Sequence, residues 1–353
     1  MSKIKLGIVG LGLAWERLHE PALKRLFDKY EIKAVCDRDY NEAKKVADAY
    51  NLSDDAVFID YQIMLDRADI EAVDLMVPIS ANFEVAKAVI NSKKYLIAEK
   101  PFAALVEGAK ELIRLANKNN VKILVAENIR YEEENVIIKS LIAENKIGEI
   151  AYFIDNNITE FPADMLKDTF AATEWRQHPD FKGGIFLDSA IHHIARHRFL
   201  FGNVKSIYAS GMPSSVDFIP YSCINALLTF ENHVTGHYSF YGISKETQAP
   251  LVGLRIFGTE GEIFLEEKSC GFVNVSYKDG KHEAIPYKPG EGYYQELYNF
   301  YDAIRENTEG DFADIVSTPE KELGDIQVIF DILDSIQKEK VIKAANNYKR
   351  KEL

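Results

Sequence analysis

Three side chains of this 353-residue chain have the types and spacing for proton and charge transfer. Asp188 and His192 stand four apart in the run Lys182-Gly183-Gly184-Ile185-Phe186-Leu187-Asp188-Ser189-Ala190-Ile191-His192. On a helix that spacing shares one face, so the carboxylate can fix the imidazole and stabilise its charged form. Lys100 follows an apolar, strand-like run in Ala98-Glu99-Lys100-Pro101. Its ammonium therefore belongs at the carboxyl end of a strand, where doubly wound sheets hold ligands. Each feature also has a plainer reading, Lys100 as a surface lysine above all. His193 and His197 repeat the four-residue spacing that zinc sites use. With no HExxH, no cysteine ligand and adjacent histidines on different faces, no metal is expected, and both are assigned to packing or solvent.

A second motif precedes these. Gly7-Ile8-Val9-Gly10-Leu11-Gly12-Leu13-Ala14 ends an apolar strand and opens a helix, the setting of a dinucleotide fingerprint. Gly10 permits the tight turn and Gly12 lets backbone approach a pyrophosphate. Trp15 stands where the pattern has a third small residue. Pro21 suits a first helical turn, so the main helix is expected to restart there after a short irregular turn that makes room for Trp15. The second strand ends at Cys36-Asp37-Arg38, and Asp37 is placed to accept from an adenosine ribose 2′-OH. That acid favours NAD; Arg38 beside it could pair with the 2′-phosphate of NADP.

Elements must position these groups. KLGIVG, IKAVC, AVDLMV, KYLIAE and VKILVA are short and apolar on both faces, as buried parallel strands are. Helical spacing joins Leu23, Leu26, Phe27 and Tyr30, and again Ala43, Val46, Ala47 and Tyr50. A helix is expected from Glu132 to Asn145. Beyond it Val234, Gly236, Tyr238 and Phe240 alternate with polar residues, as in a strand with two unlike faces. Glu231-Asn232 and Asp279-Gly280 fit hairpin turns, the latter of type I′. A helix from Pro319 to Lys340 presents Leu323, Ile326, Ile329, Phe330 and Leu333 to a core. The fold class is α/β: a Rossmann domain with a doubly wound parallel sheet (1–127), then an α+β domain with a large, mostly antiparallel sheet (128–353).

Composition narrows the partners. A net charge of −13 argues against a nucleic-acid backbone as partner. Cys36, Cys223 and Cys270 form no CxxC pair, which fits a reducing cytoplasm. No apolar run reaches membrane-span length, and the start MSKIKLGIVG leaves no room for a signal peptide.

In motif order the chain resembles the glucose-fructose oxidoreductase / inositol dehydrogenase / rhizopine-catabolism (MocA) family over nearly its whole length. GIVGLG, VPISAN, AEKP, NIRY, IGEI, WR, GGIFLDSAIHH and GTEGEI follow one another as they do in that family. The resemblance implies hydride transfer between a nicotinamide and a secondary alcohol or ketone of a sugar, sugar derivative or cyclitol. It implies that Lys100 holds and polarises the reacting oxygen, that His192 is the general acid/base, and that Asp188 orients His192. For the cofactor it implies Gly10, Leu11, Gly12, Leu13, Ala14, Asp37, Arg38, Val77, Pro78, Asn82, Glu99, Lys100, Asn128, Trp175 and Arg176. It also implies a homodimer or homotetramer joined through the second domain's sheet. The chemistry needs such a set: a carbinol gives up its hydride only as its proton leaves, and a nearby ammonium stabilises the oxygen. Because Lys100 and His192 lie in different domains, the site is expected where the Rossmann strands' carboxyl ends face the second domain. Departures from the family pattern are Asn82 for a common His, Ala190 for Gly and Ala195 for Asp. The alternatives are a non-catalytic nucleotide- or sugar-binding regulator, marked by loss of the lysine or histidine, and an NAD-assisted glycoside-cleaving enzyme, marked by aglycone release without net NADH.

Overall fold

The structure, a computed structural model, describes residues 1–243, 253–266, 270–306 and 314–344. Two compact units form: Met1–Asn128 with Tyr293–Leu323, and Ile129–Gly292 with residues 324–344. The division proposed at 127/128 runs along the sequence. In space Tyr293–Leu323 returns to the first unit, tied there by the Tyr30 hydroxyl on the Leu297 carbonyl (2.6 Å) and by Arg305 on Glu71.

The buried apolar runs of the first unit become strands β1 (Ile4–Val9), β2 (Tyr30–Cys36), β3 (Val57–Phe58), β4 (Ala72–Leu75), β5 (Tyr95–Glu99) and β6 (Ile123–Ala126). They pair in parallel in the order β3-β2-β1-β4-β5-β6. The order reverses between β1 and β4, the switch point at which such sheets bind ligands. Amphipathic helices cover the sheet; Tyr40–Ala49 buries Ala43, Val46 and Ala47, and Val106–Asn119 buries Ala109, Leu112, Ile113 and Ala116.

One sequence expectation changes here and another takes a specific form. The spacing from Leu23 to Tyr30 does not mark one helix. The helix stops at Arg25, Phe27 is 71% exposed, and Tyr30 opens β2, so the period ran across a helix end. The irregular turn expected before Pro21 is present, and the α-helix Glu20–Arg25 begins with Pro21 in its first turn. Residues Trp15–His19 form a π-type turn, with the Glu20 N–H bonded to the Trp15 carbonyl, and His19 and Glu20 stay right-handed helical. The wider turn accommodates a proline that has no N–H to give. It also turns Trp15 inward, with its ring 6.1 Å from that of Tyr50, and buries His19.

In the second unit β7 (Ile150–Ile158), β8 (Val204–Pro213), β9 (Tyr221–Phe230), β10 (Thr235–Tyr241), β11 (Gly253–Gly258), β12 (Gly261–Leu265), β13 (Phe272–Tyr277), β14 (His282–Pro286) and β15 (Ile342–Lys343) form one sheet. Its order is β14-β13-β12-β11-β7-β10-β9-β8-β15, antiparallel throughout except for β7 with β10. Gly236, Tyr238 and Phe240 are buried as the alternation of β10 predicts. The helix Gly184–Phe201 packs over that face: Phe186 meets Phe240, and Phe201 stacks on Phe153 of β7 at 4.6 Å. The Asp279-Gly280 turn is not type I′. Only Gly280 has positive φ (87°), and its N–H bonds the Tyr277 carbonyl, which fits a type I turn followed by a left-handed glycine. Helices Glu133–Ala143 and Pro319–Lys338 occupy the expected stretches.

Candidate active site

Parallel pairing places the first unit's candidate residues. Val9 lies opposite Cys36 and Leu75, Leu75 opposite Ala98, and Glu99 opposite Ala126. The segments that follow these residues therefore emerge side by side at one edge of the sheet. They hold Gly10–Ala14, Asp37, Val77-Pro78, Lys100 and Asn128, so most of the first-unit residues picked from sequence share the carboxyl edge. Gly10 has φ of 89°, and a Cβ there would lie 2.1 Å from the Met76 carbonyl oxygen. Around Gly12 a Cβ would meet nothing within 4 Å, so the backbone faces open space. Asp37 reaches across to this loop, accepting from the Leu11 N–H (2.8 Å) and the Asp39 N–H (2.9 Å). Open backbone beside a strand-end carboxylate fits a dinucleotide's pyrophosphate and ribose. Arg38 is exposed. Burial pushes the neighbouring Cys36 thiol up to about 12, which makes it a packing residue.

Lys100 is held from several directions. The buried Asn82 side chain donates to the carbonyls of Glu99 (3.0 Å) and Pro101 (3.1 Å), on either side of the cis Lys100–Pro101 peptide. One oxygen of Glu99 accepts the Lys100 N–H (3.0 Å). The other lies 3.0 Å from His19 Nε2, and His19 Nδ1 lies 3.0 Å from Asp74 in the middle of β4. Burial disfavours the His19 charge, yet Asp74 and Glu99 outweigh it and raise the imidazole well above its usual value. The fully buried Glu296 faces the same cluster. Burial first, then Glu99, Glu127 and Asp74, raise its carboxyl well above the ordinary range against the opposing pull of His19. His19, Asp74 and Glu296 are not among the candidates that the sequence offers. One signal was available: a carboxylate inside an otherwise apolar strand demands a buried partner.

The second unit carries its own group of candidate residues on the helix Gly184–Phe201, whose Ile185 N–H donates to the Phe218 carbonyl (2.9 Å). Asp188 is buried, and Arg176 Nε sits 2.6 Å from its carboxylate. The same guanidinium donates to the Phe170 carbonyl and lies 4.0 Å from the centre of the Trp175 ring. Trp175, Arg176 and Asp188 are thus brought together. His192 follows one turn after Asp188 and is half-buried. His193 bonds the Tyr238 hydroxyl (2.9 Å), and the buried His197 joins Arg196 on Asp155 of β7. These histidines anchor the helix to the sheet, the packing role expected of them. Among the described residues no group of three or more His, Cys, Asp or Glu could hold a metal, and no helix is long and apolar enough to cross a membrane.

This fold and these motifs define an NAD(P)-binding oxidoreductase. Residues 4–127 match the family described as an oxidoreductase family with an NAD-binding Rossmann fold, and residues 136–264 match the GFO/IDH/MocA C-terminal domain. The chain belongs to the GFO/IDH/MocA family of oxidoreductases. It is 26% identical over 317 residues to an uncharacterised protein of Saccharomyces cerevisiae, spanning 86% of this chain and 88% of that one. With a scyllo-inositol 2-dehydrogenase (NADP(+)) of Bacillus subtilis it shares 26% over 283 residues, 80% of this chain and 71% of that one. The crystal structure of an oxidoreductase from Thermotoga maritima superposes with a TM-score of 0.82 at 26% identity, covering 97% of this chain and 98% of that one.

Proposed function

We propose that this oxidoreductase moves a hydride between a nicotinamide cofactor and a secondary alcohol or ketone of a sugar, sugar derivative or cyclitol. The observation that carries the reading is Lys100, presented at the ligand edge of the parallel sheet with its backbone fixed by Asn82 and Glu99. The bound cofactor supplies the hydride acceptor or donor. Gly10–Ala14 and Asp37 would hold its pyrophosphate and ribose, with Val77, Pro78, Asn82 and Asn128 beside them; Trp175 and Arg176 are the candidates for it in the second unit. Lys100 holds the reacting oxygen and stabilises negative charge as it develops there. His192 takes or returns the hydroxyl proton. The inositol dehydrogenase relative supports a polyol as substrate class. Tyr152, Tyr208, Met212 and Leu227, each more than 40% exposed on the sheet's other face, support a second copy of the chain as the cover for that face.

The test is turnover of inositols, free sugars and sugar nucleotides with NAD⁺ and NADP⁺, the panel being ordered by any ligand that co-purifies. Lys100→Met and His192→Ala should each lose turnover, His192→Ala by about 10²–10⁴. Both should bind NADH almost as the native protein does, because the loss belongs to the chemical step. Full turnover in both variants would overturn the reading.

A further inference from the structure

We propose that His19 is a positioning residue for Lys100, acting through Glu99. The proposal deepens the reading of Lys100 above and takes its catalytic meaning from it. His19 and Asp74 are both completely buried. Each ring nitrogen of His19 lies 3.0 Å from a carboxylate oxygen, Nδ1 from Asp74 and Nε2 from Glu99. A neutral imidazole has one N–H, so two acceptor carboxylates are both served only by the imidazolium. A cation buried in this way is tolerated because charges of opposite sign flank it on two adjacent central strands.

The bridge has a direction. Glu99 divides its oxygens, one to His19 and one to the Lys100 N–H, so the ring that fixes the Glu99 side chain also fixes the backbone that carries the ammonium. A histidine retained only for packing would not need both nitrogens matched. The other titratable groups facing this cluster come from every element around it. They are Glu296 and Tyr293 of the helix Gly292–Arg305, with the Tyr293 ring 6.2 Å from His19, Glu127 after β6, and Tyr30 of β2. Among the described residues neither Glu296 oxygen has a hydrogen-bond partner, and its carboxyl is held toward the neutral form. The ion pairs that His19 makes in the cluster are those with Asp74 and Glu99.

The test reads Lys100 itself and needs no substrate. The full chain is labelled with trace acetic anhydride, and the rate at Lys100 is measured by mass spectrometry against exposed lysines. His19→Gln should change that rate by about two- to tenfold, the equivalent of one lost hydrogen bond. Adding Glu99→Gln should restore it, since two amides can bridge without charge; a gap in packing would not be mended by that change. In ¹⁵N spectra at pH 7.5 the native His19 ring should carry protons on both nitrogens. Glu99→Gln alone sets an amide N–H against Nε2 while an oxygen stays for Lys100, so the ring should lose its second proton. This measurement decides the matter if His19→Gln does not fold. Unchanged Lys100 labelling in a folded His19→Gln protein, or a ring that ignores Glu99→Gln, overturns the proposal. Failure of the underlying reading looks different: Lys100→Met would keep turnover while the labelling results stood.

Discussion

Gly10 and Gly12 stand two residues apart in one loop, yet methylating each should give opposite results. At Gly10 the backbone has φ of 89°, and an added Cβ would meet the Met76 carbonyl oxygen at 2.1 Å and its carbon at 2.7 Å. Met76 cannot withdraw easily, because its N–H is bonded to Val9 of β1 at 2.8 Å. A left-handed alanine costs about 1–2 kcal/mol. Forcing a methyl into packed backbone adds about 1–3 kcal/mol, so Gly10→Ala should lose roughly 2–5 kcal/mol. In a unit of this size that is a fall in Tm on the order of 10 °C. At Gly12 no heavy atom lies within 4 Å of the same methyl. Gly12→Ala should therefore melt within about 0.5 kcal/mol of the native protein. The open space is where the backbone must approach a pyrophosphate, so NADH affinity should drop about tenfold or more, or roughly 1.4 kcal/mol. Thermal melts and a nicotinamide fluorescence titration separate the two effects. If Gly12→Ala bound NADH as tightly as the native protein, or melted as low as Gly10→Ala, the assignment of this loop would be refuted.

Two further outcomes follow from charges near that loop. Asp37 is already turned toward Leu11, so kcat/KM should favour NAD over NADP; a tenfold preference for NADP would show that Arg38 governs the pocket. The contribution of Glu296 and His19 to stability should fall with rising pH, because both have raised values in the fold. Such groups contribute fully below their unfolded values, about 4.3 and about 6.5, and the contribution is lost as pH rises through the folded ones. Glu296→Gln removes one source, so its Tm should decline less between pH 5 and pH 9 than that of the native protein; a steeper decline would contradict the assignment.

What could be read from the residues, and what could not, follows from the range of each interaction. Strands β1, β2, β4, β5 and β6 were legible because a strand covered on both faces is apolar at most of its positions. β3 was not, since two residues, Val57 and Phe58, carry no period. The glycine loop, Asp37 and Lys100 were legible because strand ends fix where a site must open. His19 was not, because its partners Asp74 and Glu99 lie 55 and 80 residues away and no local pattern joins them. The π turn hid it further by moving the residue off ordinary helical spacing. Asp188 illustrates a third case. Its place on the helix was legible, but its contact with Arg176, twelve residues earlier across an irregular stretch, was not.

That contact bears on what Asp188 does. A carboxylate four residues before His192 was expected to orient the ring, and Arg176 holds that carboxylate at 2.6 Å. Arg176 is itself set by the Phe170 carbonyl, the Thr173 hydroxyl and the face of Trp175, so the pair is a fixed assembly and not a flexible surface bridge. Two tasks for Asp188 can be told apart by a double-mutant cycle. If its main task is to orient His192, Asp188→Asn should lower kcat and move the pH dependence, while Arg176→Gln should act separately and the two losses should add. If its main task is to fix Arg176, the two single variants should lose alike and the double variant should lose little more than either. The 2.6 Å contact favours the second pattern, and in both cases Asp188→Asn should cost less than His192→Ala, since neither task transfers the proton. A loss in Asp188→Asn equal to that of His192→Ala, additive with Arg176→Gln, would give the carboxylate a direct part in the chemistry and refute both assignments.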